Sequence, residues 1–127
     1  MSKRILVVED QPDNRQILRD LLRSADFEVI EAEDGEAGLA AAAADKPDLI
    51  LMDVQLPGID GYEATRRLKR DATLRDVPVI AVTAHALSGA EQEARAAGCD
   101  CYISKPISPR QLLAKVREYL SSPGPTT

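Results

Sequence analysis

The stretch Leu49-Ile50-Leu51-Met52-Asp53-Val54-Gln55-Leu56-Pro57-Gly58-Ile59-Asp60-Gly61 decides how the rest of the chain is read. Four apolar residues in a row, without a polar residue at every second place, mark a strand covered on both faces, as in a parallel sheet. The run then ends on a carboxylate, and Pro57, Gly58 and Gly61 turn the chain soon afterwards. An acid there either closes a strand at the surface or is held out at a working edge. The other strand ends decide between the two.

Ile5-Leu6-Val7-Val8 and Val79-Ile80-Ala81-Val82 are runs of the same kind, and Cys101-Tyr102-Ile103 is a weaker one. Glu28-Val29-Ile30-Glu31 is more polar and suits a sheet edge. Helical patterns lie between them. Residues 13 to 25 place Ile17, Leu18, Leu21 and Leu22 on one stripe. Residues 35 to 44 are rich in alanine, the best helix former, and carry Leu39. Asp60 with Glu63, and Ser88 with Glu91, have the spacing of a capping box. Ser108 opens the last helix with Pro109 at its first position, and Leu112, Leu113, Val116 and Leu120 form its apolar side. Strand and helix alternate five times, which defines a doubly wound α/β domain.

The chain has 127 residues, the size of one domain. Residues 1–120 are expected to form it, with 121–127 as a flexible tail. The longest apolar run is too short to cross a bilayer, and the N-terminus lacks the apolar length of a signal peptide. A cytoplasmic location without membrane contact follows as the expectation. A net charge of −5 with 3% aromatic residues argues against nucleic-acid binding. The basic run Arg66-Arg67-Leu68-Lys69-Arg70 is expected to be a solvated helix face. Cys99 and Cys101, with a single His in the chain, fall short of a zinc set and are expected to be reduced, buried or half-buried thiols.

In open parallel α/β sheets, ligands bind beyond the carboxyl ends of the strands. Here those ends present Glu9-Asp10, Asp53, Thr83-Ala84 and Lys105-Pro106. Three carboxylates gathered at one edge repel one another, and a cation relieves that repulsion. A hard ion with oxygen ligands, such as Mg²⁺, suits acids without His or Cys. A carboxylate can also attack phosphorus to give an aspartyl phosphate, with a metal and a lysine neutralising the phosphoryl oxygens.

Val8-Glu9-Asp10, Leu51 to Gly61, Val82-Thr83-Ala84 and Tyr102-Ile103-Ser104-Lys105-Pro106 stand in this order, each at a strand end, over residues 3 to about 120. In this the sequence resembles a response-regulator receiver domain of bacterial two-component signalling. The resemblance implies a five-stranded, flavodoxin-like and CheY-like (βα)5 fold with strand order 2-1-3-4-5. It implies Asp53 as phospho-acceptor, charged by a histidine kinase or a histidine phosphotransfer protein. Mg²⁺, with Mn²⁺ able to substitute, would be held by Asp10, Asp53 and the backbone carbonyl of Gln55, and by Glu9 through water. Glu9 stands where many relatives have Asp. Lys105 would pair with the phosphoryl group ahead of a cis bond to Pro106. Thr83 and Tyr102 would act as switch residues, and Gln55, Ala84 and His85 would tune access and the loss of phosphate. The fourth helix, fifth strand and fifth helix, roughly residues 88 to 120, would carry the signal to a protein target, with the domain a monomer or a weak phosphorylation-dependent dimer.

Read without the resemblance, Tyr102 can also be a half-exposed tyrosine on an edge strand, and His85 is more often a surface-loop histidine than a functional one. Gly58 and Gly61 serve the turn and the helix entry rather than a phosphate cradle. An aspartate-nucleophile phosphohydrolase carries an acid two residues after the nucleophile. Gln55 stands there and cannot give up a proton as an acid does. A pseudo-receiver that only binds partners is the remaining rival, and the full set of reactive positions argues against it. The segments around Thr83 and Lys105 resemble single-domain cell-cycle regulators of the DivK type, and those around Tyr62 and His85 also resemble receivers attached to hybrid kinases.

Overall fold

A computed structural model describes residues 3–83 and 89–121 of the chain. Ala84, His85 and Ser88, and most of the segment expected as a tail, lie outside the described residues. Five strands and five helices alternate: β1 (Arg4–Val8), α1 (Pro12–Ser24), β2 (Glu28–Ala32), α2 (Gly35–Asp45), β3 (Leu49–Asp53), α3 (Gly61–Arg70), β4 (Val79–Thr83), α4 (Ala90–Ala97), β5 (Cys101–Ser104) and α5 (Pro109–Ser121). The strands form one parallel sheet in the order β2-β1-β3-β4-β5. Edge positions for β2 and β5 explain why their sequences read as the more polar and the weaker strand.

Alternate residues of each strand point to opposite faces, and each face has its own core. Leu6, Val8, Ile50, Met52 and Ala81 pack with Ala42 of α2, Ala64 and Leu68 of α3 and Ala94 of α4. Ile5, Val7, Leu49, Leu51, Ile80 and Ile103 pack with Leu18 and Leu22 of α1 and Leu112 and Val116 of α5. The three inner strands are therefore sealed between two helical layers, which is what their unbroken apolar runs require. The alanines of α2 let it lie close: a Cβ at Gly38 would come within 2.9 Å of a Val8 methyl.

Helix starts follow the sequence in part. Asp34 Oδ1 accepts from Ala37 N at 2.7 Å, and Asp60 Oδ1 accepts from Glu63 N at 2.8 Å. Glu63 accepts from Arg66 and Arg67 instead of completing the expected box. Ser108 Oγ accepts from Gln111 N at 3.3 Å ahead of Pro109. The N-cap of α4 is Gly89 in the left-handed region, φ 92°, and Ser88 lies outside the described residues.

Two expectations need correcting. Ile17 does not join the buried stripe of α1 but stands 63% exposed. Lys69 is no solvated member of the basic run, although Arg66, Arg67 and Arg70 are exposed as expected. Its ammonium donates to the carbonyls of Arg75 and Val77 and to Asp100 Oδ2, at 3.0–3.1 Å. Asp100 Oδ2 also accepts from Val79 N, so one lysine pins the end of α3 to the starts of β4 and β5.

Candidate functional site

The carboxyl ends of β1, β3 and β4 and the connection after β5 meet at one edge of the sheet. Asp53 is the last residue of β3, and the ladder continues past it through Val54 N to Val82 O at 2.9 Å. That bond holds the strand end rigid and leaves the Asp53 carboxylate at the rim, 5% exposed. Its Oδ1 accepts from Gln55 N at 3.0 Å, which curls the chain back over the acid. Gly61 makes the return: its N–H donates to Val54 O at 2.9 Å, and a Cβ there would come within 2.2 Å of Asp53 O.

Glu9 is buried beside Asp53, and Asp10 is half-buried. Each of the three offers a carboxylate oxygen, all within 4.8 Å of one another. Lys105 donates to Glu9 Oε1 at 3.2 Å and to Asp53 Oδ2 at 3.4 Å. The lysine is placed by its own backbone, since Lys105 N donates to Thr83 O at 2.7 Å. The bond to Pro106 is cis, as expected. Thr83 is buried at the end of β4, opposite Ser104. Tyr102 is half-buried against the α2–α3–α4 layer. Gln55 is exposed at the mouth. The structure thus gathers Glu9, Asp10, Asp53, Thr83 and Lys105 at the carboxyl edge of the sheet and sets Tyr102 on the edge strand β5, opposite Ala81. Ala84 and His85 lie outside the described residues.

Charge dominates the site. Burial pushes the Glu9 carboxyl above its ordinary range, and the neighbouring Asp53 adds to that, while Gln11 N and Lys105 act the other way. Burial alone would lower the Lys105 pKa, but the facing charges of Asp53 and Glu9 outweigh it and hold the ammonium more firmly protonated. Three acids against one lysine leave a negative site that one divalent cation balances. The donors are all hard oxygens, which fits Mg²⁺ or Mn²⁺ and no thiophilic metal.

Beside the acids lies a mostly apolar groove of about 340 Å³, reaching from Glu9 and Lys105 along Ile17 and Leu21 of α1 to Pro106 and Ile107. The exposed Ile17 is one of its walls. Nothing in the sequence separated Ile17 from its buried neighbours, because the groove is formed by a loop almost ninety positions further along the chain. Arg15 was likewise missed: its Nη1 donates to Glu9 O at 2.9 Å, a contact between an i and i+6 pair that no helical period announces.

A parallel five-stranded sheet with three acids, a hydroxyl and a lysine at its carboxyl edge defines a class of phosphoryl-accepting signalling domain. The family of response regulator receiver domains matches residues 5–117, and the chain belongs to it: this is the receiver domain of a two-component response regulator. It is 45% identical to the polar-differentiation response regulator DivK of Brucella anthropi, over 94% of this chain and 98% of that one. Among solved structures it is similar to the receiver domain of a Pseudomonas aeruginosa sensor histidine kinase, which holds magnesium in its active-site cleft (TM-score 0.90, 36% identity, 96% and 100% of the two chains). It is also similar to the chemotaxis protein CheY4 of Vibrio cholerae (TM-score 0.89, 28% identity, 94% and 100%). No helix among the described residues is long and apolar enough to cross a membrane.

Proposed function

We propose that Asp53 is the phospho-acceptor and that the domain catalyses its own phosphorylation and dephosphorylation with Mg²⁺. The observation that carries this is the convergence of Glu9, Asp10, Asp53 and Lys105 within hydrogen-bonding and ligating reach. An Asp53 oxygen attacks the phosphorus of a phosphohistidine. The P–N bond breaks, and the imidazole leaves with its electron pair. Lys105 moves from its carboxylate partners to a phosphoryl oxygen, and the Thr83 hydroxyl donates to another. Asp10, Asp53 and the Gln55 carbonyl would hold the ion, and Glu9 would contribute through water. When bound, the ion neutralises charge on the phosphoryl oxygens. Hydrolysis later returns the carboxylate, at a rate set by Gln55 and the segment containing Ala84 and His85.

The phosphoryl dianion then biases the Thr83–Tyr102 pair and the α4–β5–α5 surface towards a second arrangement that a target protein reads. The donor is a histidine kinase or a histidine phosphotransfer protein, and the groove at Ile17 and Ile107 suits an apolar helix presenting its histidine to Asp53. The compartment is the cytoplasm, where ATP charges the kinase.

Intact-mass spectrometry after incubation with acetyl phosphate tests the reading. A single phosphoryl adduct is expected with Mg²⁺ and none with EDTA or with Asp53→Asn. An adduct that survives in Asp53→Asn would place the chemistry elsewhere. If no adduct accumulates, beryllofluoride decides: Mg²⁺-dependent chemical-shift changes around Asp53 support rapid dephosphorylation, and their absence makes the domain a binding module.

A further inference from the structure

We propose that Arg15 is a positioning residue for the cation-binding turn, holding Glu9 and Asp10 in place through the Glu9 carbonyl. The inference rests on the reading of the acids as a Mg²⁺ site. Glu9 has both of its main-chain groups tied to the end of β2. Its N–H donates to Ala32 O at 3.0 Å. Its carbonyl accepts from Arg15 Nη1 at 2.9 Å, and Arg15 Nε donates to Glu31 Oε1 at 3.2 Å. Glu31 is in turn held by Arg19 Nη1 at 3.2 Å from Oε2. The Arg15 side chain is only 17% exposed, and its backbone is fixed within α1 by the bond from Arg15 N to Gln11 O at 2.9 Å. The clamp therefore runs from a rigid helix to a paired strand.

The carbonyl of Glu9 and the N–H of Asp10 belong to one planar peptide. Fixing that plane fixes Asp10 N and Cα and leaves only rotation about the N–Cα bond to set where the Asp10 side chain starts. Mutual repulsion of Glu9, Asp10 and Asp53 pushes this turn open whenever it is not balanced, and the guanidinium fork, tied to both Glu9 O and Glu31 Oε1, resists. A planar fork that bridges two acceptors is a task for arginine, which lysine performs with one point charge only.

Electrostatics and positioning predict opposite signs. A cation near a cation site opposes metal binding, so removing the Arg15 charge by itself tightens Mg²⁺. Loss of a clamp loosens it, typically by about 10-fold or more for residues that orient metal ligands.

The test is a Mg²⁺ titration of the ¹⁵N-labelled full chain followed by amide chemical shifts, for wild type, Arg15→Gln and Arg15→Lys. Saturable shifts in the wild type establish the metal site, and their absence removes that reading and this inference with it, before any variant is considered. Given a working wild-type site, about tenfold weaker binding in a folded Arg15→Gln supports the clamp. Unchanged or tighter binding overturns it. Should Arg15→Gln not fold, Arg15→Lys decides: it keeps the charge and loses the fork, so weaker binding supports positioning and wild-type affinity overturns it.

Discussion

A single side chain carries much of the tension in this site. Glu9 is 1% exposed, and burial followed by the proximity of Asp53 raises its pKa above the ordinary 4.5. A raised folded-state pKa means that the native state binds the proton more tightly than the unfolded chain does. The associated stability is complete below about pH 4.5 and is lost as pH rises through the folded value. In the ion-free protein burial therefore disfavours the ionised form of Glu9, and Lys105 at 3.2 Å offsets part of that cost. Glu9→Gln removes the charge and keeps the shape. In EDTA at neutral pH its Tm is expected to rise by a few degrees over wild type, the scale of about 1 kcal/mol in a domain of this size. The difference shrinks as pH falls through the folded value towards 4.5, below which the Glu9 carboxyl is neutral in both the folded and the unfolded chain. Thermal unfolding followed by circular dichroism across pH checks this. A less stable variant at neutral pH would show that the Lys105 pair outweighs the burial of Glu9.

At the scale of elements, the connection from β3 to α3 does the most for the site. Asp53 is held at the rim because the chain folds back at Gly61, whose missing side chain leaves room for Asp53 O. Gly61→Ala forces a Cβ to 2.2 Å from that backbone oxygen, so the loop or the strand end must shift. Overpacking of this kind costs about 2–3 kcal/mol, and a lower urea midpoint with an unchanged slope is the expected result. A midpoint equal to wild type would mean that the loop relaxes freely. The same region shows which parts were legible in sequence. The strands, their buried or edge character, Asp60 as a cap and the acid at the end of β3 all follow from local patterns. Ile17, Lys69 and Arg15 did not, because their surroundings come from segments outside their own helical pattern, and Glu63 did not, because it pairs with Arg66 and Arg67 along its own helix. Ile17 sits in a stripe with Leu18 and Leu22 yet walls an open groove. Lys69 sits in a run of cations yet anchors Asp100 across the fold. Periodicity reports which face of a helix is apolar, and it is silent on how far the neighbouring loop covers that face.

The whole molecule is one sheet between two helical layers, and the two cysteines report on them separately. Cys99 packs in the α2–α3–α4 layer, 7% exposed, with its Sγ 3.7 Å from Thr65 Oγ1. Cys101, two residues on, is half-buried against the α1–α5 layer. The sheet stands between them, so the pair is a poor candidate for an internal disulfide. Burial raises the Cys99 pKa above its ordinary 9.0, which lowers its reactivity further, since the thiolate is the attacking form. At this size a single cooperative transition is the norm, because β1, β3 and β4 contribute alternate residues to both cores. Reaction with an excess of iodoacetamide over a range of urea, read by mass, separates two cases. In the cooperative case Cys101 is modified first under native conditions. Cys99 then reacts only through global unfolding, with the same free energy and slope that circular dichroism gives. If Cys99 instead reacts at a lower free energy and a shallower slope, the layer containing α4 opens without the rest. That layer borders the surface proposed to change on phosphorylation. Its independent opening would mean that the two arrangements of the switch are separated by a local unfolding step rather than by a rigid displacement.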